Sequence, residues 1–329
     1  MKTQEPNAYS IAKYTAERQA EWDDFVDSSR NGTFLHKRGY MDYHAHRFAD
    51  HSLMFYSNGK LVAVLPAHIK EESLCSHNGL TYGGLLLNSE TTTAEVLEIF
   101  SAMADYLEAN TAAARIVYKP TPHIYHSYPC EEDLYALFRN GATLSERKVS
   151  SAIPLKSPIS ISGRRKLTEK TKSGLHIVED GDLEGFWSIL NERLQDKYNT
   201  APVHSIDEIA LLKSRFPENI KLFCVTDNDG NILGGVVLFI TETVVHMQYS
   251  ATTTEGRRIS ALDYLYEELI NVRFKEKKYF DFGISVEDGG RYLNSGLIAY
   301  KERLGGRAVV YDTYIIELKR AADDQLLQS

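Results

Sequence analysis

This chain lacks most of the features that announce a function class. No apolar run in its 329 residues approaches the roughly 18 needed for a membrane span. The opening stretch "MKTQEPNAYSIAKYTAERQAEW" has no apolar core of the kind a secretory signal carries. A cytoplasmic protein without an integral membrane segment is expected. Cysteine is scarce: Cys75, Cys130 and Cys224 are scattered, odd in number and without C-x-x-C spacing, so reduced thiols are expected. Positive charge is not in excess. Lys and Arg total 37 against 45 Asp and Glu, a net charge of -8, which argues against a DNA-binding or non-specific nucleic-acid protein but leaves room for a local basic pocket. There is no G-x-S-x-G and no convincing Cys-His pair for nucleophilic catalysis. The tripeptide Asp281-Phe282-Gly283 matches the magnesium-binding motif of protein kinases, yet G-x-G-x-x-G and H-R-D are absent, and fewer than 50 residues follow Gly283. Histidines 44, 46 and 51, and His123 and His126 with Cys130, match no standard zinc spacing, so no metal is expected.

What is present is a normal globular balance, 43% hydrophobic and 25% charged, with length for two domains. A pattern repeats. In the first half, "SLMFYSNGKLVAVLPAHI" reads as a hairpin through Asn58-Gly59, and "GLTYGGLLLN" reads as a third strand. "TTTAEVLEIFSAMADYLEAN" follows as a helix with Leu97, Phe100, Ala104 and Leu107 on one face, and "ARIVYKP" as a closing strand. In the second half the order recurs: a hairpin through Asp229-Gly230, a strand "TVVHMQYSA", a helix "RRISALDYLYEELINVRFKEK" and a strand "KYFDFG". Gly59 and Gly230 are 171 positions apart, and Val117 and Asp281 are 164 apart. Each half opens with a helix, "EWDDFVDSS" and "LEGFWSILNERLQDKY".

Helix, hairpin, strand, helix, strand is the order of the acyl-CoA N-acyltransferase (GNAT) fold. The tandem pair resembles the FemAB/FemABX group of aminoacyltransferases, and more narrowly FemAB-like proteins of unassigned substrate. The resemblance covers roughly residues 20–315. It is most specific over "FDFGISVEDGGRYLNSGLIAYKERLGGRAVVYDTY", with "SGRRKLTEKTKSGLHIVE" resembling the basic helix that leads into the second domain. It implies an α/β (α+β) fold of two GNAT-like domains, each a mixed, mostly antiparallel sheet flanked by helices. The boundaries expected are 1–155 and 156–329, with 156–175 a basic connecting segment.

The implied activity is acyl transfer, most simply Fem-like N-acyl or aminoacyl transfer to an amine of a cell-envelope precursor or carrier-linked sugar. A coenzyme A-dependent N-acetyltransferase and a catalytically silent binding module of the same fold are the alternatives. No tightly bound cofactor is expected. The donor would be aminoacyl-tRNA or acyl-CoA, and the partners a small-molecule or nucleotide-sugar acceptor with transfer RNA as a possible donor. GNAT enzymes carry a [Q/R]-x-x-G-x-[G/A] turn facing the coenzyme A pyrophosphate. Here "TTTEGRRISALDYL" keeps Ala261 but has Ile259 where the second glycine belongs, and the first half has no glycine at its equivalent turn. Gly256, Arg257 and Arg258 are the candidates for donor or anion binding. Lys301, in "LIAYKERLGG", is the candidate oxyanion stabiliser by resemblance; its sequence context alone, beside Glu302 and Arg303, reads as a surface lysine. A base could come from Asp281 at a strand end or from His204. His246 alternates with apolar neighbours, as a packed sheet histidine would, and is taken with Tyr249 on the same face as a substrate contact. Arg164 and Arg165 open a basic stretch that could receive a phosphorylated substrate or form a solvated helix face.

Overall fold

The computed structural model describes residues 9–157 and 173–318. These residues form two compact units. The first runs to Lys148 and takes in Asp288–Arg291 and the stretch from Val310; the second is Val149–Glu287 with Tyr292–Val309.

In the first unit, β1 (Tyr9–Lys13) and helix α1 (Gln19–Ser28) lead through a helical turn, α2 (Arg38–Met41), to β2 (Leu53–Ser57) and β3 (Lys60–Leu65). The β2–β3 turn is the Asn58-Gly59 pair, with φ of 50° and 77° as a tight hairpin requires. Pro66, which has no N–H to give a ladder, separates β3 from β4 (Ala67–Lys70). β4 pairs with β5 (Ser73–Ser76) across a turn at Glu71, φ 53°. The strand that follows the expected hairpin is therefore β5; of "GLTYGGLLLN" only Leu86–Leu87 is a strand, β6. Helix α3 (Thr93–Asn110) starts on a capping box of Thr92 and Glu95. Its buried stripe is Val96, Ile99, Phe100, Met103 and Leu107; Leu97 is only partly covered. β7 (Arg115–Tyr118), α4 (Glu132–Arg139), the first part of β8 (Thr143–Pro154) and the last part of β16 (Arg307–Glu317) complete the unit. Leu53, Phe55, Leu65, Leu74 and Ile116 meet α3 in one apolar core.

β5 and β7 are parallel and pair over three rungs only, the last being Cys75 with Val117. Just beyond, the Lys119 amino group donates to the carbonyls of His77 and Leu80, and burial lowers its pKa to about 8.

The second unit repeats this plan. β9 (His176–Glu179) is followed by α5 (Leu183–Tyr198), capped by the Asp182 carboxylate, and α6 (Ile206–Arg215), capped by Ser205. β10 (Ile220–Thr226), β11 (Ile232–Ile240) and β12 (Val244–Thr252) form an antiparallel meander, and Gly230 sits in its first turn at φ 84°. The expected single helix is broken. α7 (Thr254–Arg258) stops, Ser260 turns at φ 61°, and α8 (Ala261–Glu268) resumes, ending in a π turn over Leu269–Arg273. β13 (Tyr279–Ile284) then runs parallel to β12. A two-stranded ribbon of β14 (Val286–Glu287) and β15 (Tyr292–Leu293) leads to α9 (Ser295–Arg303), whose N-cap is Asn294. Val236, Leu238, Val245, Phe280 and Phe282 pack against Leu265 and Leu269. Among the described residues, no helix is long and apolar enough to cross a membrane. Cys75, Cys130 and Cys224 are buried and unbridged.

Candidate active site in the second unit

β12 and β13 share three parallel rungs: Val244 with Tyr279, Val245 with Phe280, and His246 with Asp281. Beyond them β12 continues along β11, while β13 turns at Gly283, φ 76°. The last rung thus stands where the strands part. Side chains alternate along each strand, so Val245 and Phe280 enter the core below α8, and His246 and Asp281 face the other way.

Asp281 is wholly buried, mid-strand rather than at a strand end. Its Oδ1 accepts from the Ser150 hydroxyl at 2.5 Å and from the Gly283 N–H at 3.0 Å. Its Oδ2 lies 2.8 Å from His246 Nδ1. A carboxylate only accepts, so Nδ1 carries a ring proton, and in the neutral ring Nε2 presents a lone pair. Nε2 has no protein partner among the described residues, and the His246 side chain keeps 11% of its surface exposed.

Lys301 is buried, 4% exposed, which excludes the surface reading its charged neighbours suggest. α9 carries it inward, and its Nζ donates to the carbonyls of Gly283 at 2.8 Å and Ile284 at 2.7 Å. Two of its three N–H groups are so used. Burial lowers its pKa to about 8, and the nearby Asp281 charge opposes that shift. Gly283 joins the two halves of the site, giving its N–H to Asp281 and its carbonyl to Lys301. At φ 76° a side chain here is strained.

Tyr249 lies three positions after His246, where plain alternation would put it on the opposite face. The ladder slips instead. His246 opposes Phe239, Met247 opposes Leu238, and Tyr249 opposes Val237, so Gln248 is the extra residue of a bulge. Tyr249 returns to the face of His246. There its hydroxyl lies 2.6 Å from His204 Nδ1 and accepts the His204 backbone N–H. Trp187 and Phe239 close around this pair edge-on, and burial raises the Tyr249 pKa.

No curated protein matches the sequence. Residues 162–302 match the family described as acetyltransferase (GNAT) domain. The crystal structure of FemX aligns over 97% of this chain and 99% of its own, with a TM-score of 0.65 at 13% identity. The chain has a FemAB-like tandem GNAT fold. The fold is also that of the C-terminal domain of a putative lysylphosphatidylglycerol synthetase from Agrobacterium fabrum (14% identity, 95% and 94% covered, TM-score 0.56). A tandem GNAT protein of the clavulanic acid pathway shares it as well (12% identity, 95% and 99% covered, TM-score 0.52).

The turn that would receive a pyrophosphate in a GNAT domain is built differently here. The Gly256 N–H is taken by the Thr253 hydroxyl at 3.0 Å. The glycine is buried, and a Cβ on it would lie 2.0 Å from the Leu233 carbonyl oxygen, so its lack of a side chain serves the packing of α7 on β11. Arg258 is exposed and paired with Glu255; Arg257 is exposed without a side-chain partner among the described residues. Arg164 and Arg165 lie outside the described residues. His44, His68 and His77 of the first unit pack as rings around Phe48, and no group of three His, Cys, Asp or Glu side chains among the described residues could hold a metal ion. Gly283 stands in the Asp-Phe-Gly tripeptide, which does not signal its role in the site, and nothing local in the sequence marks Ser150.

Proposed function

We propose that this protein transfers an acyl group, most simply an aminoacyl group, to an amine, with His246 as the base and Lys301 as the oxyanion partner. The observation that carries this reading is the His246 ring, held by Asp281 at Nδ1 and unpartnered at Nε2, on the rung where the strands part. The acceptor nitrogen attacks the acyl carbon. An N–C bond forms, and the bond from that carbon to the donor's ester oxygen (or thioester sulfur) breaks. His246 Nε2 takes the proton released by the amine and returns one to the leaving atom. The third N–H of Lys301 meets the oxyanion. Asp281, buried and fully engaged, orients the base instead of acting as one.

The occupied Gly256 N–H and the missing second glycine weigh toward a carrier other than coenzyme A, as does the FemX likeness in fold. The amine acceptor of a cell-envelope precursor or carrier-linked sugar is part of the same proposal. A donor panel of aminoacyl-tRNAs and acyl-CoAs against amine acceptors, including nucleotide-sugar precursors, tests it. His246→Ala should lower kcat by roughly 10²- to 10⁴-fold on the donor found. Saturable calorimetric binding of acetyl-CoA with turnover would select the acetyltransferase alternative. Binding across the panel without turnover would select the silent module.

A further inference from the structure

We propose that Ser150 is a positioning residue: its hydroxyl fixes the Asp281 carboxylate, and through it the tautomer and orientation of His246. The catalytic part rests on the function proposed above; the structural part does not. Ser150 and Asp281 are both without exposed surface, and the Ser150 Oγ lies 2.5 Å from Asp281 Oδ1. That oxygen also takes the Gly283 N–H, from two residues along the same strand. A donor from the neighbouring strand adds a lateral restraint that the local turn cannot supply. With Oδ1 held from two directions, rotation about the Cβ–Cγ bond is blocked. Oδ2 is then aimed at His246 Nδ1, 2.8 Å away. The carboxylate cannot donate, so the direction of the bond is fixed: Ser150 donates and Asp281 accepts. The adjacent Ser151 is an internal contrast. It is equally buried, yet its Oγ has no hydrogen-bond partner among the described residues. Ser150 and Ser151 are neighbours on one strand and face opposite ways, and of the two only Ser150 reaches Asp281.

The experiment reads the imidazole directly, so it needs no substrate. Chain labelled with ¹⁵N-histidine gives long-range proton–nitrogen spectra, and His246 is assigned by its loss in His246→Gln. Wild type should show one neutral tautomer, protonated at Nδ1. Ser150→Ala should average the two nitrogen shifts toward a mixture, as Asp281→Asn does, while Ser150→Thr and Ser151→Ala keep the wild-type signature. On the donor and acceptor found, Ser150→Ala should lower kcat on the order of 10-fold, a fraction of what a positioned base contributes, with KM unchanged. If Ser150→Ala fails to fold, Ser150→Cys keeps the volume with a poor donor and carries the same expectation. An unaltered Nδ1–H signature in Ser150→Ala or Ser150→Cys overturns the proposal. Wild-type turnover in His246→Gln overturns the catalytic reading alone, because the spectral effect of Ser150 would still stand.

Discussion

Raising the pH should weaken the activity and strengthen the fold through one proton, that of Lys301. The amino group titrates near 8 in the folded chain against an ordinary 10.5, because burial outweighs the attraction of Asp281. At pH 9 about a tenth of the folded molecules keep the ammonium, and kcat should fall about 10-fold per unit above pH 8 if that charge meets the oxyanion. Stability runs the other way. Between pH 8 and 10.5 the unfolded chain still holds the proton that the folded chain has released, so unfolding takes up a proton and becomes harder as pH rises. The gap between about 8 and 10.5 corresponds to a gain on the order of 3 kcal/mol across that window. Lys301→Met is the control. It keeps an unbranched chain one atom shorter, removes the charge, and should abolish both slopes, with kcat down roughly 10- to 1000-fold at pH 7. Urea unfolding of the two proteins at half-unit steps from pH 7 to 10.5, beside kcat over the same range, gives the comparison. A stability difference between them that stays flat with pH would sink the assignment, as would a wild-type kcat that holds to pH 9.5.

Two further expectations concern the frame. Gly256→Ala sets a methyl group 2.0 Å from the Leu233 carbonyl oxygen, so α7 must move off β11; a loss of about 3 kcal/mol is expected in denaturant titration. In the first unit, burial raises the Asp133 pKa to about 7 although Tyr118 donates to it. Its folded pKa lies above the unfolded one, so stability is full below about pH 4 and declines as pH rises through 7, by on the order of 4 kcal/mol. Asp133→Asn should flatten that decline, measured as the urea midpoint at pH 4.5 and 7.5.

The repeated order was legible because its turns are written in the sequence. Asn58-Gly59 and the Asp227–Gly230 turn mark hairpins, and Thr92 with Glu95 marks a helix start. The β4–β5 hairpin was missed because Glu71 takes the left-handed position that a glycine or asparagine would have announced. The helix expected over residues 257–277 hid its break for a similar reason, with Ser260 in the left-handed region and no glycine to show it. α4 and α6 were overlooked as short amphipathic stretches between stronger signals. At the site, Asp281, His246 and Lys301 were each named, but not their arrangement. His246 and Asp281 are 35 positions apart and meet only because two parallel strands share one rung. The burial of Lys301 is set by α9 and two carbonyls, which no local pattern reports. The Gln248 bulge likewise depends on the partner strand.

The first unit keeps the seat without its occupants. Cys75 and Val117 hold the rung that His246 and Asp281 hold in the second, at the same offsets of 171 and 164 positions. A seat filled by a thiol and an isopropyl group answers chiefly to volume. Exchange of Cys75 for alanine or of Val117 for isoleucine changes packing by a methyl group or so, whereas either member of the polar pair leaves its partner without a mate when replaced. The two halves of one chain are therefore under different substitution rules at matching positions.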